Sequence, residues 1–379
     1  MELLSLPMEE IRSHFQKRYN PRNGEMTPYE RFEAAVQRKP SDRTPFDFWA
    51  VDEIQERLLS YFQVSSMEEV LQIFGIDARI MTPKYIGPVL ETCPDGSFYT
   101  VYGSHRKKVS NEFSTYEEYA SYPLAEAQSV QEIETWFRWP KSEYWDWNGL
   151  PSQIDSVNAN TRYHIRYDVG GIFETAWGLY GMDSFLMALF DKPEIPCAIM
   201  DCITDIFIQN VHNLMRVAQG KIDIVYTYDD IAMQNGLLIS PKMWKQFILP
   251  RHQRLNAVIK QYDLNILYHS CGAVYPMINN LIELMHIDVL NPLQPLAAGM
   301  DMQRIKDEFG SRVAFHGGID LQKTMSSGSP ADVIAEVADR LNTIGLGGGY
   351  ICTTAHYIQA DTPLNNILAL YLAPRNALN

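Results

Sequence analysis

Hydrophobic and polar positions repeat one pattern from about Ile222 to the end of the chain. A short apolar run, rich in β-branched and aromatic residues, is followed by a stretch with apolar residues three and four apart. The apolar runs read IDIVYTYDD, NILYHSC, IDVLNPLQP, RVAFHGGID and GGYICTTAH. The stretches after them predict helices at 241–262, 274–285, 300–308, 330–343 and 364–372. Five successive strand-helix units are typical of a parallel sheet with helical crossovers.

Three similar runs occur earlier in the chain, so the predicted strands number eight. They are TPFDFWA from residue 44, DARIMTP from 77 and YHIRYDVGG from 163. Eight parallel strands in 379 residues favour a closed (β/α)8 TIM barrel, with residues 1–379 forming one domain. Two additions to the barrel are predicted: an N-terminal helical extension at 1–27 and a β-hairpin insertion at 86–110, around a Pro-Asp-Gly turn. The Trp-rich segment 140–149 predicts a loop or lid.

Charge and composition narrow the function classes. The formal net charge of -14 repels phosphate backbones, so nucleic acid is not expected as a partner. The sequence has no apolar run of the ~20 residues that span a bilayer and no signal-peptide pattern at its start, so we expect no membrane association and a cytoplasmic location. Five scattered cysteines indicate reduced thiols rather than a disulfide framework. The oligomeric state stays open, with a homodimer as one option.

Polar and metal-binding residue types follow the predicted strands. In a TIM barrel the carboxyl ends of the strands form the active face, so these side chains should meet there. They are Tyr228, Asp229 and Asp230, then His269 and Cys271, then Asn291 and Gln294, then His316, and finally Cys352 and His356.

His269 and Cys271 are the strongest metal candidates. Residues two apart on a strand project from the same face, and imidazole and thiolate are typical zinc donors. A catalytic zinc site needs about three protein ligands, and the last strand offers Cys352 or His356 as the third. The alternative for each is structural, because a free cysteine is often a small buried hydrophobe and a histidine at a strand end often bonds a carbonyl.

Acidic residues supply candidates for proton transfer. Asp229 and Asp230 are adjacent, so they should alternate across their strand, with one facing the barrel mouth and the other facing outward or capping a helix. Glu174 follows a Gly-Gly pair at the end of the strand predicted from residue 163, where a loop could line the pocket or a helix could begin. Either acid could anchor substrate, take a proton or orient a metal-bound histidine.

Several segments together resemble the uroporphyrinogen decarboxylase superfamily from about residue 28 to the end. They are SDRTPFDFWA, DDIAMQNGLLISPKMWKQFILPRH, YHSCGAVYPMINNLIELMHIDVLNPLQ, FHGGID and GGGYICTTAHYIQADTPLNNILALY. The resemblance implies a (β/α)8 barrel. True decarboxylases of this superfamily carry an Arg-rich segment after the first strand, where this chain reads FDFWAVDEIQERL. The chain therefore resembles the corrinoid-dependent methyltransferases more closely, both the methylcobalamin:coenzyme M type and the O-demethylases.

That resemblance implies zinc held by His269, Cys271 and a third ligand. The family's late Cys aligns with His356, and Cys352 lies four residues earlier. Asp230 and Glu174 would then be catalytic. Substrate would contact residues around the pocket, namely Trp49, Trp177, Tyr228, Asp229, Gln234, Asn291 and His316.

The implied activity is methyl transfer between a small methylated or methoxylated substrate, or a thiol acceptor, and a corrinoid. The chain has no cobalamin-binding Asp-x-His-x-x-Gly motif, so the corrinoid would be carried by a separate protein. Two other functions stay open. One is a metal-free decarboxylase that uses Asp230 and His316 as acid and base, and the other is a non-catalytic component that binds a corrinoid protein or substrate.

Overall fold

The computed structural model describes residues 7–19, 24–110 and 115–376. The helices are α1 (Met8–Tyr19), α2 (Pro28–Val36), α3 (Asp52–Phe62), α4 (Met67–Phe74), α5 (Val130–Glu134), α6 (Leu150–Val157), α7 (Ile172–Tyr180), α8 (Met182–Asp191), α9 (Glu194–Ala218), α10 (Pro241–Met243), α11 (Leu249–Gln261), α12 (Ile278–Met285), α13 (Met302–Phe309), α14 (Pro330–Asn342) and α15 (Leu364–Leu372). The strands are β1 (Ala78–Ile80), β2 (Lys84–Tyr85), β3 (Phe98–Tyr99), β4 (His105–Ser110), β5 (Thr115–Ser121), β6 (Trp145–Asp146), β7 (His164–Gly171), β8 (Ile224–Tyr228), β9 (Ala232–Met233), β10 (Gly236–Leu237), β11 (Asn265–His269), β12 (Val289–Leu293), β13 (Ala314–Ile319) and β14 (Tyr350–Thr354).

Seven parallel strands form the main sheet, in the order β1-β7-β8-β11-β12-β13-β14. Residues 45–50 join its two edges. Phe46 and Ala50 form parallel bridges to Cys352 and Ile358 on the β14 side, and the Phe46 carbonyl accepts a 3.1 Å hydrogen bond from the Asp77 amide beside β1. The eight predicted strand positions are therefore all occupied by barrel backbone, and the (β/α)8 prediction is confirmed.

Alternation along the barrel strands separates two layers of side chains. Residues that face the barrel axis pack as an inner cluster, to which β8 contributes two residues and β7 none; it comprises Trp49, Ala78, Ile224, Tyr226, Leu267, Val289, Ala314 and Ile351. Helix α2 closes the amino-terminal end of the barrel, where Phe32 stacks on His164 at 4.3 Å between ring centroids. The strand residues with the opposite orientation pack against the surrounding helices.

The predicted crossover helices lie where the pattern placed them, with small irregularities. The helix predicted at 241–262 is divided by a π-helical turn at Trp244–Ile248, and the one predicted at 274–285 begins with a 3-10 turn at Tyr275–Met277. Helix α15 has the predicted bounds, 364–372. In the described ranges no helix is both long enough and apolar enough to cross a bilayer.

The insertion is larger than the predicted hairpin. The expected turn is present, because the Cys93 amide donates to the Ser97 carbonyl at 2.7 Å. The main pairing, however, joins β4 to β5, so the antiparallel sheet β3-β4-β5 continues to Ser121 rather than ending at 110. The Trp-rich segment 140–149 also contains a short strand, β6, which pairs with β2.

The N-terminal extension packs on the barrel through α1. Ile11 and Phe15 are buried, and the Phe15 ring lies 5.3 Å from Phe74 and 6.4 Å from Phe62. Residues 1–6 and 20–23 of the predicted extension lie outside the described residues. The described part of the extension therefore covers α3 and α4.

Candidate metal centre and its two cavities

Three potential metal ligands meet at the mouth of the barrel. His269 ends β11, Cys271 follows it by two residues, and His356 lies on the loop after β14. One ligand atom from each lies within 4.8 Å of the others, and the His269 Nε2 to Cys271 Sγ distance is 3.4 Å. This set offers two imidazole nitrogens and one sulfur, which is a donor combination that zinc favours.

Strand alternation explains why Cys352 is not part of this group. Ile351 faces the barrel axis, so its neighbour Cys352 points outward and is buried in the layer between sheet and helices. Burial raises the pKa of that thiol to about 12. His356 lies beyond the end of β14, and the loop brings it to the mouth. Of the two options for the third ligand, the structure therefore brings only His356 to the cluster.

A hydrogen-bonded chain behind His269 fixes its tautomer. Its Nδ1–H donates to the Asn291 Oδ1 at 2.5 Å, because an amide oxygen can only accept. The Asn291 amide nitrogen donates to the His316 Nδ1 at 2.6 Å, and the His316 Nε2–H donates to Asp47 at 3.0 Å. The His269 Nε2 is left with a free lone pair that faces Cys271. Such outer partners orient metal ligands and raise their basicity.

The alternation of side chains along a strand places Asn291 and His316 beside His269, which itself lies two residues after Leu267 of the inner cluster. Each lies two residues after an apolar residue of the inner cluster, Val289 and Ala314, so its side chain faces the barrel axis one layer nearer the mouth. Both nitrogens of His316 are engaged by Asn291 and Asp47, and the ring is fully buried. Among the described contacts it therefore supports His269 and does not reach a cavity.

Both imidazoles of the cluster are neutral near pH 7. Burial lowers the pKa of His269 to about 4, and burial together with His269 lowers the pKa of His356 to about 4. Burial, with the nearby carboxylates of Asp230 and Glu174, raises the pKa of Cys271. A bound cation would favour the Cys271 thiolate, since metal ligation stabilises the deprotonated sulfur.

Glu174 and Asp230 form an acid pair beside the cluster. The Glu174 Oε1 accepts a hydrogen bond from the Asp230 amide at 2.7 Å, and the Asp230 Oδ1 accepts one from the Cys271 amide at 2.7 Å. The same Asp230 oxygen lies 3.6 Å from the His269 Nε2. Burial and the charges of Asp230 and Asp229 raise the pKa of Glu174 to about 8, and burial raises the pKa of Asp230.

Asp229 faces away from the mouth, as alternation with Asp230 requires. Its carboxylate is fully buried, accepts the Glu174 amide at 2.9 Å and contacts the His252 Nε2 at 2.6 Å. The expectation that Asp229 contacts substrate is therefore replaced by a positioning role. It ties the start of α7, and hence Glu174, to the end of β8.

The first cavity opens over His269 and His356 and has a volume of about 510 Å³. Its wall contains Tyr228, as expected, together with the acids Glu174 and Asp230. Five of the twelve further lining residues are aromatic. The further lining residues are Thr82, Pro83, Val101, Tyr102, Trp145, Tyr167, Asp168, Val169, Gly170, Asn210, Tyr226 and Tyr357.

A second cavity of about 450 Å³ adjoins the cluster through Cys271. It shares Asp230 and His356 with the first cavity, so the three potential ligands lie between the two spaces. Four glutamines surround it, namely Gln234, Gln294, Gln322 and Gln359. Gln294 donates to Gln234 at 2.7 Å and accepts the Gly272 amide at 2.8 Å.

Comparison with known proteins places the chain in a family. The model for uroporphyrinogen decarboxylase (URO-D) matches residues 160–376, more than half of the chain. The chain belongs to the URO-D family. A solved structure described as a methyltransferase from Methanosarcina mazei is similar over 91% of this chain and 97% of that one, with a TM-score of 0.63 and 17% identity, which shows a shared fold. None of the curated proteins compared with the chain matches it.

The matched URO-D segment contains the three potential metal ligands and the acid pair. It also contains the residues hydrogen-bonded in series behind His269, apart from Asp47. Trp49 also lies outside that segment. Its ring is buried beneath the site, 6.4 Å from His269 between centroids, and it donates from Nε1 to Asp47. Trp49 therefore packs beneath His269 and Asp47 and does not line the first cavity.

Trp177 does not reach either cavity, against expectation. It lies within the URO-D segment one helical turn after Glu174, and its ring packs on Tyr119 of β5 at 5.4 Å. The insertion covers this face of α7, which sequence reasoning could not foresee because β5 was not predicted. Gln234 lines the second cavity rather than the first.

Several wall residues of this URO-D site were missed by sequence reasoning. Asp168 and Tyr167 both line the first cavity, although neighbours on a strand should face opposite ways. A β-bulge between Asp168 and Gly170 interrupts the register with β8, and such bulges re-aim side chains beside functional sites. The signal available was the pair Arg166 and Asp168, two charged residues within a predicted barrel strand.

Proposed function

We propose that this URO-D family chain is a zinc-dependent methyltransferase. It would move a methyl group between a small methylated or methoxylated substrate, or a thiol acceptor, and a corrinoid carried by a separate protein. The observation that carries the proposal is the convergence of His269, Cys271 and His356 between two cavities. The fold shared with a protein described as a methyltransferase supports it.

The residues present fit a zinc ion. His269 and His356 would bind through nitrogen and Cys271 through sulfur, which leaves a position open for a reactant. Bound zinc would supply Lewis acidity toward a methyl ether oxygen, or hold an acceptor thiolate. The lone pair that Asn291 directs toward the cluster is what a ligand histidine requires.

The acid pair would manage protons beside the metal. Glu174, with a pKa near 8, can hold a proton at neutral pH and release it when positive charge enters the site. Asp230 fixes the Cys271 backbone through its hydrogen bond, so a change in its orientation would move the sulfur. Both groups line the first cavity, where the small substrate would bind.

The second cavity would receive the edge of the corrinoid. Its glutamine side chains are uncharged and both donate and accept hydrogen bonds, as do the amide groups at the edge of a corrin ring. The two reactants would then approach the cluster from different cavities. A corrinoid partner protein, the cytoplasmic location and a homodimer stay predictions from the sequence.

Metal analysis of matched cysteine variants tests the proposal. Purified protein should contain about one zinc per chain, and Cys271→Ala should lose it. Cys352→Ala is the control, since that thiol is buried away from the cluster and its loss should leave zinc in place. Zinc retained by Cys271→Ala, or wild-type activity unaffected by chelators, would contradict the zinc site.

Methyl transfer is then measured with purified corrinoid proteins as methyl donors or acceptors. Formation or loss of the methylated corrinoid is followed by its absorbance spectrum, and zinc-free protein serves as the control. Porphyrinogen decarboxylation is assayed in parallel. Decarboxylation by protein that lacks zinc, with no methyl transfer, would replace the proposal by the metal-free alternative.

A further inference from the structure

The wall of the first cavity contains acidic side chains but, among the described lining residues, no lysine or arginine. The acidic residues are Asp168, Glu174 and Asp230. Acidic residues alone do not define a binding preference, because they are common on protein surfaces. Here they lie in a cavity of about 510 Å³, which is large enough for a small molecule.

A buried arginine beneath the wall does not cancel this charge. The Arg166 Nε donates to Asp168 at 2.8 Å, and its Nη1 contacts Asp47 at 3.3 Å, so two carboxylates face one guanidinium. The first cavity and the layer beneath it thus contain four carboxyl groups, Asp47, Asp168, Glu174 and Asp230, against the one guanidinium of Arg166. The cavity therefore repels anionic substrates and favours cations.

Six aromatic residues also line the first cavity. Trp145 lies 6.4 Å from Tyr102 between ring centroids, and Tyr226 lies 5.6 Å from Tyr228. Tyr167 and Tyr357 also line the space. Burial raises the pKa of Tyr226 and Tyr228, so the phenols stay neutral and their π faces stay electron-rich. Aromatic faces together with carboxylates are the surroundings that bind ammonium groups through cation–π attraction.

We propose that the substrate of the first cavity is a small organic cation with an ammonium group. The acids and the aromatic wall hold the ammonium group, and the reacting methyl ether or thiol end lies toward His269 and His356. This substrate class rests on the proposed methyltransferase function for its chemistry. The charge preference itself rests only on the cavity wall.

Binding of two isosteric probes tests the charge preference. Choline and 3,3-dimethyl-1-butanol have the same shape, but only choline is charged. Calorimetry or ligand-observed NMR should show choline binding at least about tenfold more tightly, as cation–π and carboxylate attraction in a partly desolvated site imply. Equal affinity, tighter binding of the alcohol, or no binding of either probe would overturn the inference.

Paired variants locate the effect in the cavity wall. Trp145→Leu and Asp168→Asn should each lower choline affinity by about tenfold and change the affinity for the alcohol less. Tyr144→Leu is the control, because this neighbouring aromatic residue is also half-buried but does not line the cavity. An equal loss in the control, or an equal loss for both probes, would contradict a cation site at this wall.

Failure of this inference is separable from failure of the proposed function. Zinc content and methyl transfer are measured on the same preparations as probe binding. If the protein contains zinc and transfers methyl groups but does not prefer choline, only the inference of a cationic substrate is overturned. A protein that prefers choline but holds no zinc would overturn the proposed function and leave the charge preference intact.

Discussion

Replacing Glu174 by Gln should remove a pH-dependent loss of stability from the metal-free protein. The buried carboxyl has a pKa of about 8, against 4.5 for the ordinary group. The folded state therefore binds the proton more tightly than the unfolded state. Its contribution to stability is complete below pH 4.5 and is lost as the pH rises toward 8. Gln keeps the oxygen that accepts the Asp230 amide but cannot ionise.

The size of the effect follows from the two pKa values. One pKa unit corresponds to about 1.4 kcal/mol, so the full shift sets a ceiling of about 5 kcal/mol. Between pH 6 and pH 9 the linkage relation gives a loss of about 2 to 3 kcal/mol from the Glu174 carboxyl. The free energy of unfolding of wild type should fall by this much relative to Glu174→Gln over that range.

Urea unfolding at several pH values, with a chelator present, measures this difference. Other groups titrate in both proteins, so only the gap between the two curves reports Glu174. Added zinc should narrow the gap, because a cation near the acid pair lowers the pKa of Glu174. If the free energies of unfolding of metal-free wild type and Glu174→Gln change in parallel from pH 6 to pH 9, the assignment of a raised pKa to this carboxyl is refuted.

Three further changes test other parts of the structure. Asn291→Ala should lower zinc affinity by about 10- to 100-fold, measured by competition with a chelator, because it removes the partner that orients His269; unchanged affinity would contradict that role. His252→Leu should destabilise the fold by about 3 kcal/mol in denaturant unfolding, because it removes the contact of the buried Asp229 Oδ2 and leaves that carboxylate only the Glu174 amide, and a neutral effect would count against this contact. Phe15→Ala should cost about 3 to 5 kcal/mol in the same assay, whereas a loosely attached extension would give almost none.

The barrel was largely readable from local patterns. Each strand-helix unit carries its own hydrophobic period, so the helices from 241 onward and the eight strand positions follow from sequence alone. The insertion was harder to predict, because β4 and β5 are largely exposed and polar and lack the apolar run that marks a barrel strand. Trp177 was misplaced as a consequence.

The sequence by itself determined that His269 and Cys271 share a strand end and face one way, since a period of two is a local property of a strand. It could not choose between Cys352 and His356, because that depends on which face of β14 points inward. The tertiary structure decided this by placing Ile351 on the barrel axis, which turns Cys352 outward and leaves His356 on a loop that reaches the mouth. The hydrogen-bonded chain through Asn291, the raised pKa of Glu174 and the acidic aromatic cavity depend on contacts between distant strands, so only the folded chain reveals them.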